Sequence, residues 1–66
     1  MAGQIKQLLD TLINKRSKGN SVIASTTIAK LTLKGINPNN YTSTSIDDEA
    51  VIKRIYEISH EMGITL

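Results

Sequence analysis

Three groups of side chains in this sequence have the right types and spacing to be tested for chemistry. Glu57, His60 and Glu61 fall within little more than one helical turn, and Glu-x-x-His can bring two ligands to one metal. His60 is the single histidine of the chain, and no second Glu-x-x-His exists to complete a set. The expected reading is a solvated helix face with no metal. Asp47, Asp48 and Glu49 are consecutive carboxylates. At a helix start such acids are stabilised by the peptide dipoles and stay in water, whereas a general acid or base needs a drier setting that shifts its pKa. Serines and threonines are plentiful, but with one histidine and neither a Gly-x-Ser-x-Gly nor a Ser-x-x-Lys context a nucleophile would lack its base. The expectation is a non-enzymatic protein without a cofactor.

The third group is KRSKGNS, Lys15 to Ser21. A Gly-Asn-Ser turn opening a helix beside three cations can meet phosphate oxygens through backbone N–H groups. It is not a Walker loop, which needs four residues between its first glycine and Gly-Lys-Ser/Thr. Lys15, Arg16 and Lys18, joined by Lys30 and Lys34, form the basic cluster expected to contact a partner. From Met1 to Lys34 six cations stand against Asp10 alone, a net +5, and from Gly35 to Leu66 two cations stand against five acids, a net −3. A basic face for an anionic partner is one consequence. Dipole compensation at helix ends is the other, since the bases gather at one helix C-terminus and the acids at another helix N-terminus.

These groups need elements to hold them. Ile5, Leu8, Leu9, Leu12 and Ile13 keep the spacing i, i+3, i+4, i+7, i+8, which predicts a first helix from Gly3 or Gln4 to about Ser17. Gly19 or Asn20 can take the left-handed conformation that ends it. The next stretch, Ser21 to Ile36, has Asn20 or Ser21 as N-cap. Wound as a helix it carries Ala24, Ile28 and Leu31 on one side and Val22, Ala29, Leu33 and Ile36 on another, leaving a narrow polar stripe of Thr26, Thr27, Lys30 and Lys34. Its many β-branched residues and the alternation of KLTLKG also suit a strand, which would have to pair between two chains. Helix is preferred, because no second strand is evident and Lys34, Gly35 and Pro38 read as a helix stop.

Gly35 to Ser45 is connector sequence, with Ile36 and Tyr41 available to pin it to the core. Asn40-Tyr41-Thr42 matches a glycosylation triplet, and the run Thr42 to Ser45 offers hydroxyls for modification, but a loop leading into a helix accounts for both. The last helix should begin near Ile46 or Asp48 and end near Met62. Ser45 with Asp48 would cap it, or Asp47 would, with Ile46 and Val51 as a hydrophobic staple. Val51, Ile52, Ile55, Ile58 and Met62 make its apolar face. Gly63 stops it, and Ile64 can fold back onto the last turn.

With 66 residues and no cysteine, residues 1–66 are expected to form a single helical domain with a small core and a thin margin of stability. The opening residues lack the pattern of a secretory leader, and no apolar run approaches the roughly 20 residues of a membrane span. No membrane role and a cytoplasmic location are the expectations. The fold expected is all-α, a small three-helix bundle in which the Ser21 to Ile36 helix packs centrally between two amphipathic helices. The function expected is a protein–protein interaction module that binds a protein partner or itself, for instance as a dimer. The alternative is a helix-turn-helix-like DNA-binding or regulatory protein, using the basic cluster against a nucleic-acid backbone. It is weakened by the stripe of Thr and Lys where Arg, Gln or Asn usually read bases. Between the two, the decisive feature is whether Val22, Ala29, Leu33 and Ile36 stay exposed in one copy of the chain.

Overall fold

The computed structural model describes residues 3–66. Three helices follow one another, α1 (Gln4–Ser17), α2 (Ser21–Leu33) and α3 (Glu49–Glu61), with a single 3₁₀ turn at Pro38–Asn40 between the second and third. The described residues contain no strand, so KLTLKG completes a helix. The all-α three-helix expectation is met, while the reading of Met1 and Ala2 as part of a leaderless start lies outside the described residues. No helix among the described residues is long and apolar enough to cross a membrane.

One feature of the expected arrangement is corrected. The element that packs against both others is α1, not the Ser21 to Ile36 helix. The reason lies in how wide each apolar surface is. On α1, Ile5, Leu9 and Leu12 are fully buried, with Leu8 and Ile13 half-buried at the margins, so its stripe spans enough arc to receive two neighbours. On α2 only Leu31 and Thr27 are fully buried. The remainder of the core is Ile36, Ile55 and Ile58.

The helix ends show how local sequence sets the boundaries. Asn20 caps α2, its side-chain oxygen accepting from the backbone N–H of Val22 and Ile23 at 2.9 and 3.2 Å. After α2, Gly35 N–H donates to Thr32 O and Ile36 N–H to Leu31 O, a Schellman pair that glycine permits with its φ of 93°. That turn drives Ile36 into the core, 3 % exposed. The same pair closes α3, where Gly63 N–H donates to His60 O and Ile64 N–H to Ser59 O.

α1 starts at Gln4, as expected, whereas the capping of α3 departs from expectation. Asp48 caps α3, accepting from Ala50 and Val51 N–H, and Ser45 Oγ instead accepts from Thr42 N–H at 2.8 Å. Asp47 is engaged elsewhere: its Oδ1 accepts from Gln4 N–H at 3.0 Å. α1 has no side-chain cap of its own, and a carboxylate 43 residues distant satisfies one of its first-turn N–H groups and meets the positive end of its dipole. Gly3 N–H adds a 3.0 Å bond to Ser45 O. With the chain drawn across in this way, Ile46 points outward at 86 % exposure, and the expected staple with Val51 does not form.

Candidate protein-interaction surface

The polarity of α2 is distributed so that burying one side leaves an apolar side uncovered. Ala24 and Ile28 are half-buried beside Leu31 and Thr27. Opposite them Val22 is 72 % exposed and Leu33 87 %, with Ala29 exposed between them. These three positions, 22, 29 and 33, lie on one line along the helix together with Thr26. Ile36 is the exception among the four deciding residues, because the Schellman turn carries it inward. Thr27 also departs from its expected place in the polar stripe. It is 2 % exposed, and burial is tolerable because its hydroxyl donates to Ile23 O at 2.7 Å within the same helix.

Two adjoining depressions run beside this face. The larger, about 550 Å³, is lined by Arg16 of α1, Lys30, Leu33 and Lys34 at the end of α2, and Glu61 and Met62 at the end of α3. The smaller, about 280 Å³, is lined by Arg16, Ile23, Thr26, Thr27 and Lys30. Arg16 and Lys30 belong to both, so the two form one groove with cations at its waist and apolar side chains at each end, Ile23 on one side and Leu33 with Met62 on the other.

The five cations of the basic cluster divide on this geometry. Arg16, Lys30 and Lys34 come together on the groove. Lys15 is drawn away, its Nζ donating to Thr65 O at 2.7 Å, which fastens the chain end to α1. Lys18 sits in the turn after α1 with a left-handed φ of 48°. Of the three groove cations, Lys34 donates to Glu61 Oε2 at 2.7 Å, whereas Arg16 and Lys30 make no ion pair among the described residues. The hydrogen bond and positive charge of Lys34 hold the Glu61 carboxyl below the ordinary glutamate range. Both side chains are substantially exposed, so the contact orients more than it stabilises.

Glu61, Met62 and Ile23 are groove residues that the sequence did not place at a binding surface. Glu61 stood out only as part of Glu-x-x-His-Glu, and its pairing with Lys34 joins positions 27 apart in the chain. The other acid of that motif, Glu57, pairs with Arg54 at 3.4 Å. Among the described residues no group of three His, Cys, Asp or Glu side chains is arranged to hold a metal ion. The chain matches no protein-family model, and no curated protein or solved structure is significantly similar to it.

Proposed function

We propose that this protein is a small helical protein-interaction module that acts by binding and not by catalysis. The observation that carries the reading is the uncovered line Val22, Ala29, Leu33 on α2. A monomer scatters single apolar side chains over its surface without consequence, but a row of them along one helix beside a groove is the surface a partner helix or loop seats on. The groove cations fit the same role. Against a protein with acidic residues, Arg16 and Lys30 steer encounter and fix orientation, while the apolar row supplies the burial that holds the complex.

The helix-turn-helix reading draws on the same cations, but the outer face of α2 offers Val22, Thr26, Ala29 and Leu33 where base edges would call for amide or guanidinium donors. The proposal is tested by placing a photo-crosslinking amino acid at position 33, and as a control at exposed Gln7 on α1, in the cell that makes the protein. A discrete protein adduct from position 33 and none from position 7 is the expected result. Nucleic-acid adducts, or the same diffuse products from both positions, would overturn it.

A further inference from the structure

The groove has a counterpart on the opposite end of the molecule. Among the described residues Ile46 is the most exposed large apolar side chain outside α2, at 86 %, and it is followed directly by Asp47, Asp48 and Glu49. Ile46 therefore stands as an apolar knob beside three carboxylates. The groove presents the inverse: apolar walls at Ile23, Leu33 and Met62, with Arg16, Lys30 and Lys34 against one acid, Glu61. Resting on the reading of this face as a protein-interaction surface, we infer that its partner is a second copy of the chain, joined head to tail, with Ile46 seated in the groove and the acids behind it facing Arg16 and Lys30.

The two surfaces cannot meet within one molecule. Ser45 and Asp47 are hydrogen-bonded to Gly3 and Gln4 at the start of α1, whereas Arg16 is near its end, about 18 Å further along a helix rising 1.5 Å per residue. The complementarity is satisfied only between copies. Charge also decides against the simplest alternative, a two-fold dimer made by laying α2 against α2. Antiparallel pairing of Val22 with Leu33 would bring Lys30 and Lys34 toward the first turn of the partner helix, which holds no acid and whose dipole end is itself positive. Head-to-tail contact instead sets a basic groove against an acidic tip. Each copy has one groove and one tip, so association either closes reciprocally, each tip in the other copy's groove, or proceeds to larger rings or chains.

This geometry makes a test that no other mode of association passes. Sedimentation of the purified chain at micromolar and millimolar concentration, at low and high salt, should show a mass that rises with concentration and falls with salt. Two variants each remove one surface: Arg16→Glu with Lys30→Glu alters the groove, and Ile46→Lys alters the tip. All three residues are solvent-facing and none makes an ion pair among the described residues, so circular dichroism should match the parent for both. Each variant alone should be monomeric. Mixed in equal amounts, they should form a one-to-one pair and nothing larger, because one supplies an intact tip and the other an intact groove.

A monomeric parent at every concentration would overturn the inference. A foreign protein adduct from position 33 alongside that result would leave the interaction reading intact with a different partner. Unchanged association of Ile46→Lys would also overturn it and point to α2 meeting α2. If the monomeric parent instead bound a mixed-sequence DNA duplex through the groove cations, both the inference and the protein-interaction reading would fall.

Discussion

At the scale of single residues, the groove is defined by which cations are already engaged. Lys34 is held by Glu61 at 2.7 Å, and Lys15 by the carbonyl of Thr65; Lys18 does not line the groove, so Arg16 and Lys30 are its cations left to meet a partner. The Lys34 contact has a direct titration signature. Its hydrogen bond and charge lower the Glu61 pKa, so the pair contributes above the carboxyl's unfolded-state pKa and its contribution disappears as pH falls through the folded-state value. Following the Glu61 carboxyl by NMR should give a midpoint below the ordinary glutamate range, and Lys34→Met should return it to that range. Because both partners are exposed, thermal stability should hardly respond to that substitution. A Glu61 midpoint unchanged by Lys34→Met would show that the pair is not populated in solution.

The contrast between neighbouring leucines on α2 belongs at this scale too. Leu31 is fully buried and Leu33 is 87 % exposed. Leu31→Ala should cost about 2–5 kcal/mol in denaturant unfolding, through lost burial and the cavity left behind. Leu33→Ser should stay within about 0.5 kcal/mol of the parent, although it should weaken binding. Equal costs at the two positions would mean that Leu33 is covered by its own chain.

At the scale of elements, the fold depends on long-range support for α1 that no local pattern announces. Gly3 has a φ of 88°, and a Cβ built on it would lie 2.5 Å from Ser43 O. Gly3→Ala meets both backbone strain and a backbone clash, and should destabilise by about 1–3 kcal/mol in chemical denaturation. A neutral result would mean that the junction of α1 with the Ser43 to Asp47 segment yields without cost. The three helices themselves were legible because their signals are local: the i, i+3, i+4 spacing of Ile5 to Ile13, Asn20 as a cap, and the Gly35 and Gly63 stops. Asp47 was legible as an acid at a helix start but not as the one serving α1, because that pairing spans the chain. The choice of α1 as the shared element also escaped the sequence. Apolar content alone favoured α2, whereas packing followed the breadth of the continuous buried stripe, in which Thr27 took a place and Val22 and Leu33 did not.

At the scale of the whole molecule, a 66-residue chain has little apolar surface with which to close a core. It spends that surface on α1, on the inner side of α2 and on α3, leaving Val22, Ala29 and Leu33 outside. The densest basic and acidic clusters seen in the sequence lie toward two ends of a body about 30 Å long, with the groove cations near one end of α1 and Asp47, Asp48 and Glu49 near the other, although Glu61 of the acidic half sits among the groove cations. Part of the acidic cluster has a structural duty, since Asp48 caps α3 and Asp47 supports α1.

The outer face of α2, with Val22 and Leu33 exposed, is left open by the chain itself. The most direct measurement is methyl NMR of the dilute protein with a soluble nitroxide, which broadens signals according to their approach to solvent. Strong broadening is expected at Val22 and Leu33, with Leu12, Leu31 and Ile58 protected. Protection of Val22 and Leu33 equal to that of the core methyls, persisting at the lowest concentration, would contradict it: the chain would then cover its own helix and leave no face for a partner.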